Sequence, residues 1–246
     1  MQKKESVSCH SEKKESSNCN HHCNGGEMHE SCVSLVPIFN HLDGEQMNVI
    51  SKVIRSNSYK KGEIIYKPGD KSDSLYIVSK GKIKIYRLSE MGKEQLVRIL
   101  TAGDFTGELA VFSESIHESY AEAMKDTEVC MITRTDLQEL LGKFSSISLK
   151  LLSEFSRRLE DSEKQTTRIS TEKVDTRIAQ FLIECVEDQQ EGTEFPLPMS
   201  KKDLASYLGT TPETISRKLT EFEELGYIKQ TRRKIKILDA ESLLLV

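Results

Sequence analysis

The chain has no uninterrupted apolar run near the eighteen or so residues that a bilayer-spanning helix needs. Its start, Met1-Gln2-Lys3-Lys4-Glu5, leads into polar sequence where a secretory signal requires an apolar stretch, so a cytoplasmic location without membrane contact is expected. Also missing are a Gly-rich phosphate loop, an H-E-x-x-H pair and a nucleophile elbow, and with them the usual grounds for expecting an enzyme. Excess positive charge is missing too: 35 Lys and Arg stand against 39 Asp and Glu, a balance that alone gives no reason to expect nucleic acid. In a reducing compartment the 6 cysteines speak against a disulfide framework and for metal binding, redox chemistry or plain burial.

What is present is unevenly distributed along the 246 residues, a length that suits two ordinary domains or one large one. Between Ser200 and Lys236 nine basic residues meet five acidic ones, a local net charge of +4 on an acidic body. Such a reversal marks a phosphate-facing surface. At the other end, residues 1–34 are polar and carry Cys9, Cys19, Cys23 and Cys32 among His10, His21, His22 and His29. By itself this segment buries too little to order, and disorder is expected of it in isolation.

Residues 35–136 change to short β-rich runs such as "SLYIVSKGKIKIYRL", cut by Gly62, Gly69, Gly81, Gly92 and Gly103. Regular strands with glycine turns predict a small barrel or jelly roll. A helical stretch is then expected over about Thr135 to Glu187, with no proline and the single glycine Gly142. Within it, Leu152, Phe155, Leu159, Ser162, Thr166 and Ile169 follow a heptad seam, apolar at first and polar later. The seam over 137–170 predicts pairing with a second copy of the chain through Leu152, Phe155, Leu159 and Ile169; packing of the stripe on its own barrel is the alternative.

Residues 171–246 end in "SKKDLASYLGTTPETISRKLTEFEELGYIKQTRRKIKIL", which reads as helix, turn at Gly209, second helix and short β-ribbon. Ser200 and Thr211 are suited to cap the two helices, with Pro212 at the first position of the second. With Ile215 and Leu219 inward, Glu213, Ser216 and Arg217 fall on the outer face near the helix start. Arg donates bidentately to guanine, Glu accepts from cytosine and Ser takes either role or a phosphate. Thr211 and Lys218 flank this trio as further contacts, Lys218 as a phosphate ligand. The fold class expected is therefore α+β: an N-terminal β-roll, a long dimerisation helix and a C-terminal winged helix-turn-helix that enters a major groove of double-stranded DNA.

The stretch "GTTPETISRKL" resembles the recognition region of the FNR/CRP family of bacterial transcription factors, and its E-x-x-S-R pattern matches the FNR branch. "GEIIYKPGDKSDSLYIVSKGKIKIY" and "LTAGDFTGELAVF" resemble the family's β-roll, which is like a cyclic-nucleotide-binding jelly roll. The resemblance implies a homodimer on a palindromic promoter site with TTGAT-type half-sites, in contact with RNA polymerase. It also implies a first effector to weigh. Gly107 and Glu108 resemble the ribose-binding turn, but the following "HESYAEA" holds no arginine to pair a buried phosphate, which disfavours a cyclic nucleotide.

FNR-type regulators carry an N-terminal cysteine cluster plus one β-roll cysteine that together ligate an oxygen-labile 4Fe-4S cluster. Here "SCVSLVPIF" and "TEVCMITRTDLQEL" resemble the surroundings of the last tail ligand and of the β-roll ligand. The resemblance thus implies Cys19, Cys23, Cys32 and Cys130 as ligands, with Cys9 as a substitute because the tail spacing departs from that of FNR. The interspersed histidines keep a zinc site open, and a reversible disulfide switch between tail cysteines is a further alternative. Either makes the chain a zinc- or thiol-controlled regulator of the same fold. Cys130 between Val129 and Met131, and Cys185 in the helical stretch, also suit plain burial.

Overall fold

The computed structural model describes residues 34–187, 194–231 and 234–246. Cys9, Cys19, Cys23 and Cys32, the tail histidines, and Arg232 and Arg233 of the ribbon lie outside the described residues.

After the segment Ser34–Asp43, helix α1 (Gly44–Ser51) opens on a capping box: the Asp43 carboxylate accepts the Gln46 amide, and the Gln46 side chain accepts the Asp43 amide. Ten short strands follow: β1 (Arg55–Tyr59), β2 (Ile64–Tyr66), β3 (Lys71–Ser72), β4 (Ser74–Lys80), β5 (Ile83–Leu88), β6 (Glu94–Leu100), β7 (Phe105–Thr106), β8 (Ser115–Ile116), β9 (Tyr120–Ala123) and β10 (Thr127–Thr133). Helix α2 (Leu109–Phe112) lies between β7 and β8. The strands form two four-stranded antiparallel sheets, in the orders β1-β10-β4-β7 and β2-β9-β5-β6, with β3 and β8 as a separate pair. This is the jelly-roll arrangement expected from the glycine-punctuated strands. Gly81 makes one turn possible: at φ +109° its backbone runs against Thr127, and a Cβ there would overlap that residue.

The helical stretch expected over Thr135–Glu187 is not one helix. It divides into α3 (Arg134–Lys143), α4 (Ser145–Thr171) and α5 (Val174–Glu187). The break at Phe144 (φ −124°, ψ 84°) lets that ring pack against the roll's outer core, and Glu172 ends α4 in an extended conformation. Tertiary packing has here overridden good helix propensity, which is a weak prior. The chain then continues through β11 (Glu194–Pro196), α6 (Lys201–Tyr207), α7 (Pro212–Glu224), the hairpin β12 (Ile228–Gln230) and β13 (Lys234–Ile237), and α8 (Ala240–Leu244).

Three apolar cores result. One fills the roll between its sheets with Tyr66, Tyr76, Val78, Ile83, Ile85 and Leu100. A second joins Val36, Ile38 and Phe39 to Cys130 and Ile132 of β10, Leu137 and Leu140 of α3, and Ile147 and Leu151 of α4. The third holds α5, α6 and α7 together through Ile178, Leu182, Leu204, Ile215, Leu219 and Phe222, with the β11-β13-β12 sheet closing over it through Phe195, Ile228 and Ile235.

Candidate functional site

Helix α7 is built from its cap outward. Thr211 is extended, and its Oγ1 accepts the Thr214 amide at 3.2 Å, while Pro212 takes the first position where no amide is needed. Gly209 turns the chain between α6 and α7 at φ +65°. Ile215, Leu219 and Phe222 point into the core, so Glu213 and Arg217 are left exposed and Ser216 half-buried on the opposite face. Thr211 is exposed beside them. The trio and the cap thus share one accessible surface at the helix start.

Lys218 does not join it. Its ammonium is held by Asp175 of α5 at 2.7 Å and by Glu221 at 2.8 Å, bonds that raise its pKa. In this DNA-free arrangement Lys218, expected as a phosphate contact, ties α7 to α5.

Along α4 the seam is open. Leu152 and Leu159 are 58% and 62% exposed, and Leu149, not part of the expected set, is 70% exposed on the same helix. Ile169 is also exposed. Phe155 differs: it meets Phe112 of α2 edge-on at 5.5 Å and packs on the core beneath, so part of the stripe does lie on its own roll. Leu109 and Phe112 are themselves exposed and widen the apolar surface.

Inside the roll, the turn at Gly107 and Glu108 is occupied by the chain's own cations. Glu108 Oε1 accepts from Arg98 at 2.8 Å and from Arg158 of α4 at 3.0 Å, and Arg158 also lies over the Phe105 ring at 4.0 Å. Burial raises the Glu108 pKa, but the two guanidiniums outweigh it and hold the carboxyl below its ordinary range. His117 stacks on Tyr66 with ring centres 3.7 Å apart. Burial pushes the His117 pKa down and the Tyr66 phenol up to about 12, the latter while hydrogen-bonded to Thr106 at 2.7 Å. Arg158 is the member of this cluster with no sequence signal, because it arrives from another element about fifty residues away.

Cys130 is 2% exposed on β10, its Sγ 3.5 Å from Ser56 Oγ, in the core that also holds Val36, Ile38 and Phe39. Among the described residues no three His, Cys, Asp or Glu side chains gather as a metal site. Cys185 lies at the margin of the winged-helix core.

Two family descriptions match: a cyclic nucleotide-binding domain over residues 56–144 and a Crp-like helix-turn-helix domain over residues 176–245. The chain is 35% identical to a probable transcriptional regulator, flp, of Lacticaseibacillus casei, over 88% of this chain and 98% of that protein. It belongs to the CRP/FNR family of transcription regulators. Electron transport regulator A of Shewanella oneidensis is 31% identical over 92% of this chain and 90% of its own length, and the transcriptional activator protein Anr of Pseudomonas protegens 30% over 89% of each. The solved structure of FixK2 from Bradyrhizobium japonicum superposes with a TM-score of 0.68 at 28% identity, covering 78% of this chain and 96% of that one. As a CRP/FNR regulator the chain is a DNA-binding protein and not an enzyme, and α6 and α7 lie within its helix-turn-helix domain. Among the described residues no helix is long and apolar enough to cross a membrane.

Proposed function

We propose that this regulator responds to oxygen or redox state, binding a TTGAT-type palindrome as a homodimer under the control of a 4Fe-4S cluster held by Cys130 and the tail cysteines Cys19, Cys23 and Cys32, with Cys9 as a substitute. The observation that carries this reading is the shared core around Cys130. Cys32 stands four residues before Val36 in the sequence, and Val36, Ile38 and Phe39 pack in the same cluster as Cys130. Ile147, Leu151 and the flank of Phe155 extend that cluster into α4, the helix whose outer face bears the open seam. One continuous core therefore links Val36, Ile38 and Phe39, which follow the tail in sequence, with the β-roll thiol and α4.

The donor set suits the group: four thiolates are the usual complement for a cubane cluster. A bound cluster supplies oxygen-labile iron–thiolate bonds. The chain's own residues do the rest. Val36, Ile38 and Phe39 anchor the tail's exit beside Cys130, and the core keeps water from the thiol. Metal bonds offset the ordering entropy that so polar a tail cannot recover by burial. Leu149, Leu152 and Leu159 receive the second copy, and Arg217, Glu213 and Ser216 read base edges while Thr211 lies beside the backbone. The relatives named as electron transport and Anr regulators are in keeping with this reading.

Anaerobic purification followed by visible absorption and by iron, sulfide and zinc analysis tests it. A brown protein with iron and acid-labile sulfide is expected. Stoichiometric zinc without iron replaces the cluster by the zinc-controlled reading, and a metal-free protein whose DNA binding follows thiol state replaces it by the disulfide switch.

A further inference from the structure

The second helix of the helix-turn-helix is itself acidic. Helix α7 carries Arg217 and Lys218 against Glu213, Glu221, Glu223 and Glu224. Its two cations differ in their surroundings: Arg217 is exposed with no ion pair among the described residues, whereas the Lys218 ammonium meets Asp175 at 2.7 Å and Glu221 at 2.8 Å. Glu221 lies three residues further along the same helix with its side chain 47% exposed, where water competes for the pairing. Asp175 reaches across from the first turn of α5 and is the more sheltered of the two.

Helix geometry shows what this pairing diverts. Successive residues stand about 100° apart, so Lys218 falls on the flank of α7 next to Arg217, between the outer face and the buried Ile215, Leu219 and Phe222. A lysine has a long flexible stem, and beside a base-reading arginine in a groove walled by phosphates its ammonium would extend to the nearest phosphate. Here the stem turns back toward α5 and its side chain is only 16% exposed. The three apolar residues already seat α7 in the core, so the fold of the helix does not itself require the lysine to turn inward. What the carboxylate of Asp175 does is to neutralise the second cation of α7 and leave Arg217 as the one that can meet DNA.

We propose that Asp175 is a positioning residue that withholds Lys218 from DNA, both in the free chain and on the duplex, so that each module makes one phosphate contact fewer than its sequence offers. Tight binding then depends on base contacts and on the second copy of the chain. The proposal rests on the DNA-binding function and goes beyond it by naming a residue that holds affinity down. A lysine on phosphate strengthens binding to every sequence alike and steepens the fall of log K with log salt by about 0.9 per contact. Freeing Lys218 therefore has a signature that the loss of a merely structural tie lacks.

Duplex binding is titrated by anisotropy between about 50 and 200 mM salt, on the palindrome and on a scrambled duplex, for the full-chain wild type, Asp175→Asn, Asp175→Ser, Asp175→Glu, Lys218→Gln and Asp175→Asn combined with Lys218→Gln. Asp175→Asn and Asp175→Ser are expected to bind both duplexes about three- to tenfold tighter at the lowest salt, with a slope steeper by about one unit per module and an unchanged ratio between palindrome and scrambled duplex. Asp175→Glu, which keeps the charge, and Lys218→Gln are expected to keep the wild-type slope, and Lys218→Gln is expected to cancel the gain of Asp175→Asn. Unchanged or weaker binding by both Asp175→Asn and Asp175→Ser makes the pair a structural tie and overturns the proposal. A gain that survives Lys218→Gln assigns the effect to repulsion of DNA by Asp175 itself and overturns it as well, as does a shallower slope in Lys218→Gln alone. The scrambled duplex carries no half-site, so a wild type that does not prefer the TTGAT-type palindrome fails that reading alone and leaves the slopes to judge Asp175.

Discussion

Arg217 and Lys218 are neighbours on one helix with different surroundings, and each has its own expected phenotype. Arg217 is exposed with no ion pair among the described residues, so Arg217→Ala is expected to cost about 1–3 kcal/mol on the cognate palindrome and little on a scrambled one. An equal loss on both duplexes in anisotropy titrations would place Arg217 on phosphate. Lys218→Ala removes the ties to Asp175 and Glu221 and is expected to lower stability by about 0.5–1 kcal/mol while leaving the salt dependence of DNA binding unchanged. A salt slope reduced by about one unit would return Lys218 to the backbone. Glu108 gives a pH signature. Its folded pKa lies below the ordinary carboxyl value of about 4.3, so its contribution is complete above that pH and is lost as pH falls through the folded value. Melting curves from pH 7 to 3 are expected to fall more steeply for wild type than for Glu108→Gln, which at pH 7 should already be destabilised by about 3 kcal/mol because Arg98 and Arg158 lose their shared partner. Parallel acid limbs would contradict the assignment.

Among the elements, α4 has two different faces. Its inner face, Ile147 and Leu151, belongs to the core with Cys130, and its outer face carries Leu149, Leu152 and Leu159 into solvent. Leu152→Glu changes only the outer face, so it is expected to leave the thermal unfolding of the protomer nearly intact while weakening dimerisation more than about tenfold in sedimentation. A dimer unaffected by this change would move the interface elsewhere. The caps at Ser200 and Thr211 and the glycine turns of the roll could be read from sequence, since each depends on a few adjacent residues, whereas the packing of Phe155 on its own core could not. The breaks at Phe144 and Glu172 had no such mark. They arise because Phe144 packs on the roll and Val174 onward on the winged-helix core, choices made by tertiary contacts. The partners of Glu108, Lys218 and Ser206 were hidden for the same reason: Arg158, Asp175 and Leu96 come from distant strands and helices, and a charge on a helix gives no sign of where its partner lies.

Taken whole, the molecule places Cys130, the long helix α4 and the helix-turn-helix in one connected path. The core around Cys130 continues into α4, the foot of α4 donates to α6 through Gln165, and α6 carries α7. A tail fixed to Cys130 by metal bonds would thereby bear on the pairing of two α4 helices, and a palindrome rewards that pairing because both half-sites must be held at once. Cys130→Ser, a near-isosteric change in the core, is expected to abolish iron binding while the roll stays folded.

The most direct test is anisotropy titration of a TTGAT-type palindrome with the anaerobically prepared protein, before and after exposure to air, with iron and sulfide assayed on the same samples. The account predicts about four iron and four sulfide per chain and tight binding before air, and loss of both iron and palindrome affinity together afterwards. Binding that is equally tight before and after air, or a protein that carries zinc and no iron, would contradict it.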